Sequence, residues 1–181
     1  MEFQPVTGIE GLVVIRPDRF SDDRGYFMES FNAGRYVEHG IPEQFAQDNQ
    51  SVSKKNVIRG LHFQHPPFDQ GKLVRVVHGK ALDVAVDIRK SSPSYGRVFS
   101  IELSADNGSM LWIPSGFAHG FAALENNTIF LYKCTRPYNP KSEAGLLYND
   151  KVLGIDWGIT NPVVSDKDLR LNHFEDFISP F

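Results

Sequence analysis

From residue 57 onward, apolar and polar residues alternate with little interruption, the period of a half-buried β-strand. The pattern predicts strands over Val57–Gln64, Lys72–His78, Lys80–Ile88, Arg97–Leu103, Ser109–Ile113, Gly120–Leu124 and Thr128–Cys134, all rich in β-branched or aromatic residues. Gly79, the run SADNG and the run ENN punctuate them, giving turns roughly every 8–12 residues, as in a sandwich or barrel. Upstream, Leu12–Pro17 reads as extended, Asp22–Gly25 as a turn and Tyr26–Phe31 as a further strand. Two helices are expected: a short one over Arg35–Gly40, stopped by Gly40 and Pro42, and one over Asp166–Phe177 after a turn at Pro162. Eight or so strands of this length build a double-sheet jelly roll whose interior can hold a ligand. The expected fold is therefore all-β with small helical decorations.

Composition narrows this without changing it. The 14 Phe, 6 Tyr, 11 Pro and 15 Gly among 181 residues suit many short elements joined by tight turns. With 41% hydrophobic and 23% charged residues, the chain is close to the globular average, so disorder is not expected. No linker, repeat or low-complexity stretch divides it, and residues 1–181 are expected to form a single domain. A net charge of −3 argues against a general nucleic-acid binder, which needs a basic face. The apolar runs fall far short of the ~18 residues that span a bilayer, and the N-terminal MEFQPVTGIEG does not read as a signal peptide. A single cysteine, Cys134, excludes an internal disulfide and a cysteine-based zinc cluster and suits a reducing compartment. The expected location is cytoplasmic.

The most specific local pattern is GSMLWIPSGFAHG, residues 108–120. It resembles the second sequence motif of the cupin superfamily, whose histidine, here His119, points into the barrel; Ala123 stands where an asparagine would be expected. The plain alternative is a Pro-Ser-Gly turn followed by a satisfied core histidine. The first cupin motif supplies metal ligands, but here His62 is followed by Gln64, and Lys72 stands where a glutamate would. An ammonium adds positive charge where a metal needs deprotonated ligands. His65 has the wrong strand parity to help, and His62 with His119 cannot complete a 2-His-1-carboxylate triad. The expectation is a pocket without metal or cofactor. Period-two alternation places Gly60, His62 and Gln64 on one strand face, with Arg59 on the other if the strand is regular.

Taken in order, SDDRGYFMESFN, QDN, RGLHFQ, GK at Gly71–Lys72, IPSGFAHGF, LYKCT and SDKD resemble the dTDP-4-dehydrorhamnose 3,5-epimerases over nearly the whole chain. The resemblance implies a cupin-like double-stranded β-helix that inverts C3 and C5 of dTDP-4-keto-6-deoxyglucose on the way to L-rhamnose. It implies His62 as base, Asp168 as its carboxylate partner, Lys72 as cation for the enolate and Tyr132 as acid. Arg24, Arg59 and Lys167 match positions near the diphosphate, where guanidinium geometry is useful. Glu29, Gln47, Asp48, Asn49 and Glu143 match polar substrate contacts, His119 a sugar-pocket residue with Asp83 as its possible partner, and Tyr138 the residue stacking on thymine. Pro137, just before Tyr138, departs from the looser turn expected there and bears on base selectivity. The family forms homodimers by exchanging N-terminal strands, which would carry Arg24 and Glu29 to the partner's pocket. Three other readings stay open: a metal-dependent cupin oxygenase, a non-catalytic sugar-nucleotide binder, and a relative inverting only one of the two carbons.

Overall fold

The computed structural model of the chain describes residues 1–42 and 44–181. Two antiparallel sheets carry most of it. The first contains, in spatial order, β1 (Glu2–Pro5), β2 (Val13–Arg16), β10 (Met110–Ile113), β7 (Lys72–His78), β12 (Thr128–Cys134) and β5 (Gln47–Ser53). The second runs β13 (Glu143–Gly145), β6 (Ile58–Gln64), β11 (Phe117–Ala123), β8 (Lys80–Asp87) and β9 (Val98–Ser104). A hairpin of β3 (Phe20–Asp22) and β4 (Gly25–Phe27) stands apart, and one short helix, α1 (Ala33–Val37), follows it. No helix among the described residues is long and apolar enough to cross a membrane.

Alternation decides where each strand's side chains go. Val74, Val76, Leu111 and Phe130 face Ala85, Leu103, Phe117 and Phe121 between the sheets, and the rings of Phe121 and Phe130 stack at 4.1 Å. Burying each such large apolar side chain is worth about 1.5–3 kcal/mol, so this core holds the sheets together. The outer face of the first sheet, with Val13, Ile15, Leu73 and Trp112, is covered by Tyr36 of α1 and by Ile41. The outer face of the second, with Leu61, Phe63, Val84 and Val86, is covered by Trp157 and by Phe174, Phe177 and Phe181 of the C-terminal tail.

The predicted strands hold, with ends moved by a few residues, and the predicted helix at 35–40 sits at Ala33–Val37 because the Asn32 side chain caps it by accepting from the Arg35 N–H at 3.3 Å. Two expectations fail. Tyr26–Phe31 is strand only as far as Phe27, and it pairs backward across the DDRG turn with β3. The expected helix over Asp166–Phe177 is reduced to one 3-10 turn, Asp168–Arg170. Tertiary partners take the backbone groups a helix would use: Phe174 N–H donates to the buried Asp150 carboxylate at 2.9 Å, and Asn172 C=O accepts from Leu147 N–H. The apolar residues of this stretch are anchors against the second sheet rather than a helical stripe.

At the end of β8 the fully buried Asp87 carboxylate accepts from Arg89 Nε (2.9 Å) and Nη2 (2.7 Å) and from the hydroxyls of Ser92 (2.7 Å) and Ser94 (2.6 Å). Burial alone would raise its pKa, but these donors together hold it down at about 2. A depressed carboxylate contributes stability that is present above its unfolded pKa and lost as pH falls through the folded one. The loss between about pH 4 and pH 2 should be about 2 kcal/mol. Urea unfolding at pH 6 and near pH 2 should show this drop in the wild type and a drop smaller by that amount in Asp87→Asn; equal drops would show that the cluster is not a source of acid sensitivity.

Candidate active site

The polar residues of the two inner faces collect toward one end of the barrel, and an irregularity in β6 decides which of them meet. His119 of β11 pairs with His62, but Phe121, two residues on, pairs with Arg59, three residues back. The extra residue in β6 is a β-bulge. Gly60 sits in it with φ +124°, and a Cβ there would lie 2.5 Å from Gly120 Cα, so only glycine permits the approach. The bulge corrects the regular-strand expectation for Arg59. Its guanidinium Nε donates to Ser53 Oγ at 3.1 Å, on the same inward face of β5 as Asn49, instead of pointing away from His62.

His62 Nε2 lies 2.7 Å from Asp168 Oδ1. Asp168 comes from the 3-10 turn of the tail and is buried; its Oδ2 accepts the Gly60 N–H at 3.3 Å, and its own N–H donates to Ser165 Oγ. Burial would raise this carboxyl, but the bonds from His62 and Gly60 outweigh it and keep the group below the ordinary carboxylate range. An ionised Asp168 only accepts, so Nε2 carries the hydrogen and Nδ1 keeps its lone pair. An imidazole oriented in this way can take a proton and is steadied once charged, the logic of His–Asp pairs elsewhere.

The cavity in front of His62 has a volume of about 240 Å³ and is lined by Lys72, Tyr132 and Cys134 from the first sheet, Gln47 and Asn49 from β5, and Gln64, Tyr138 and Glu143 from the second sheet side. Burial drives the Lys72 ammonium down, while Cys134, Asp83 and Glu143 pull it up. Burial raises the Tyr132 phenol, so at neutral pH it keeps its proton and can donate it. Behind His62, His119 Nε2 lies 2.7 Å from the fully buried Asp83. Burial lowers the His119 imidazole more than Asp83 raises it, which makes it a neutral donor to that carboxylate.

At the mouth, Tyr138 Oη donates to Glu143 Oε2 at 2.6 Å, and Lys167 Nζ stands 2.5 Å from the same oxygen. Gln47 Oε1 accepts the Tyr138 N–H at 2.7 Å, fixing the ring's base despite Pro137. The half-exposed Tyr138 ring thus presents a face and its neighbour a cation, which suits a base and a diphosphate.

The structure therefore gathers His62, Lys72, Tyr132, Asp168, His119, Arg59, Gln47, Asn49, Tyr138, Glu143 and Lys167 at or around one cavity. Three expected residues are not brought there by this chain. Asp48 falls on the outward face of β5, where alternation puts it, and binds Lys133 Nζ at 2.9 Å. Arg24 is on the exposed hairpin, paired with Asp22, and Glu29 is engaged with Asn32 and Arg35. Gln64, Gln70 and Cys134 line the cavity and were not singled out as site residues. Alternation already puts Gln64 on the His62 face, and parity with Tyr132 points to Cys134 in the same way; Gln70 lies in a loop, where no periodicity applies. Among the described residues, no group of three or more His, Cys, Asp or Glu is placed to hold a metal ion.

A base, a cation and a phenol lining one cavity of a two-sheet jelly roll describe a cupin-like isomerase of sugar nucleotides. The comparisons make the assignment particular. Residues 6–176 match the family model described as dTDP-4-dehydrorhamnose 3,5-epimerase. The chain is 48% identical over 171 residues to the dTDP-4-dehydrorhamnose 3,5-epimerase of Shigella flexneri, covering 94% of each chain. It superposes with a TM-score of 0.92 and 44% identity on the Legionella pneumophila dTDP-6-deoxy-D-glucose-3,5-epimerase RmlC in complex with dTDP-4-keto-L-rhamnose, over 98% of this chain and 94% of that one. ChmJ, a 3'-monoepimerase from Streptomyces bikiniensis seen with dTDP-quinovose, is also similar, with TM-score 0.89, 31% identity and coverage of 94% and 86%. The protein belongs to the dTDP-4-dehydrorhamnose 3,5-epimerase family.

Proposed function

We infer that the protein inverts C3 and C5 of dTDP-4-keto-6-deoxyglucose to give dTDP-4-keto-L-rhamnose, an isomerisation that feeds rhamnose-containing polysaccharides. The observation that carries this reading is the oriented His62, with Lys72 and Tyr132 on the walls of the same cavity. His62 Nδ1 takes the proton from a carbon next to the ketone, and the C–H electron pair moves onto the C4 oxygen. Lys72 meets the resulting enolate oxygen with positive charge, an interaction strongest where water is excluded. Tyr132 returns a proton to the opposite face and is itself reprotonated from solvent, while His62 gives up its proton. A second round at the other carbon completes the reaction. Arg59 and Lys167 hold the diphosphate, Tyr138 stacks on thymine, Gln47, Asn49 and Glu143 make polar contacts, and His119 lines the sugar end. The reaction needs no metal or cofactor, residues 1–181 act as one catalytic domain, and the cytoplasm is the proposed location.

Similarity to ChmJ keeps a single-carbon epimerase as the second reading. NMR of the product formed in deuterated water separates the two. Deuterium at both C3 and C5 is expected; label at one carbon alone would make the protein a mono-epimerase.

A homodimer is part of the same reading. The β3–β4 hairpin exposes Phe20, Tyr26 and Phe27, each more than half accessible, and carries Arg24 away from its own cavity. A hollow of about 400 Å³ on the outer face of the first sheet, lined by Ser30, Leu73, Arg75, Met110 and Leu131, borders Asn49 and Tyr132. A second copy's hairpin would cover apolar surface and supply a missing cation. Mixing Arg24→Ala with His62→Ala subunits should then restore one working site per heterodimer. Full activity from a species that sediments as a monomer would rule this arrangement out.

A further inference from the structure

We propose that Asp83 is a positioning residue for the epimerisation: its carboxylate, buried in the barrel interior behind the cavity, is the counter-charge of the Lys72 ammonium at the enolate oxygen. The inference rests on the reading of the site given above.

Asp83 lies at the middle of β8, between Ile101 of β9 and Phe121 of β11, and is fully buried. A carboxylate there is expensive unless its charge is met. One oxygen accepts from His119; the other, Oδ2, has no hydrogen-bond partner among the described residues. His119 does not supply the missing charge, because burial keeps its imidazole neutral. Among the described residues, the cation facing the barrel interior from the opposite sheet is Lys72 of β7, a half-buried residue whose ammonium is desolvated and is favoured by Asp83 through space. A buried carboxylate and a desolvated ammonium of opposite sign thus relieve each other across the barrel.

The other groups facing Lys72 do not serve as well. Cys134 and Tyr132 on β12 are pushed up by burial and stay neutral at ordinary pH. His62 on β6 and His119 on β11 contribute no negative charge. Glu143 on β13 is negative, but its carboxylate is already paired with Lys167 at 2.5 Å and bonded by Tyr138 at 2.6 Å. Asp83 is left as the carboxylate whose charge is free for Lys72. It does not touch the reacting atoms; it acts through Lys72.

The direct test is an NMR titration of the Lys72 13Cε signal, assigned by its loss in Lys72→Met, in the wild type and in Asp83→Asn. The amide is isosteric and can still accept from His119. In the variant, Lys72 is expected to titrate lower by about one pH unit or more. The alkaline limb of kcat/KM should move by the same amount, with KM nearly unchanged. In the Lys72→Met background Asp83→Asn should cost almost nothing further, because the group it serves is gone. If Asp83→Asn does not fold, Asp83→Ala with added formate is the alternative: formate, but not formamide, should restore the titration. An unmoved Lys72 titration, or equal losses with and without Lys72, would overturn the proposal. A moved titration in a protein whose wild type epimerises nothing would instead overturn the reading of the site.

Discussion

His62→Asn is expected to abolish epimerisation, with kcat falling by at least about 10³-fold, while affinity for dTDP stays within about twofold. General acid–base groups are commonly worth 10²–10⁴, and here no second base stands ready to substitute. The imidazole behind His62, that of His119, is buried, neutral and committed to Asp83. Asn fills similar space, so the Gly60 bulge and the tail residue Asp168 should stay in place. Solvent exchange of the C3 and C5 protons should vanish together with inversion, because both begin at Nδ1. Deuterium wash-out at a near-normal rate in this variant would remove His62 from the base role.

Lys72→Met should slow both inversions by roughly two to three orders of magnitude, the usual cost of one electrostatic donor removed from a closed site, about 3–4 kcal/mol. Methionine keeps the aliphatic stem that packs beside Cys134 and removes only the charge. The effect should fall on kcat with little change in KM, since the cation meets charge that develops only as the enolate forms. Both carbons should suffer alike, because the enolate oxygen is the same in each round. A variant turning over at the normal rate would place enolate stabilisation on another group.

Much of this site is legible in the sequence because strands have a rigid period. Once His62 and Tyr132 are taken as inward, parity places Gln64, Phe130 and Cys134 with them; the expectation of Asp48 as a substrate contact fails on the same rule, because it alternates with the inward Asn49 on β5. Residues whose position depends on a break in that period were less accessible. Arg59 turns toward Ser53 of β5, beside the pocket, through the extra residue at Gly60, and nothing in RGLHFQ except its glycine hints at it. Asp168 was reached through the resemblance of SDKD, not through local pattern. Its stretch looks helical, yet Asp150 and the second sheet's outer face hold it as an extended strap that delivers the carboxylate to His62. The outward-pointing hairpin carrying Arg24 is a third case, since in the proposed homodimer its role depends on a second chain.

The central claim is that two groups act on opposite faces of one carbon, His62 removing the proton and Tyr132 returning it. Tyr132→Phe tests this most directly, by comparing solvent exchange at C3 and C5 with inversion in deuterated water in one NMR experiment. The phenol is half-buried and holds its proton, so its loss should leave the exchange driven by His62 largely intact while inversion falls at least about tenfold further. Exchange and inversion falling by the same factor would contradict the two-face account and assign Tyr132 to holding the sugar.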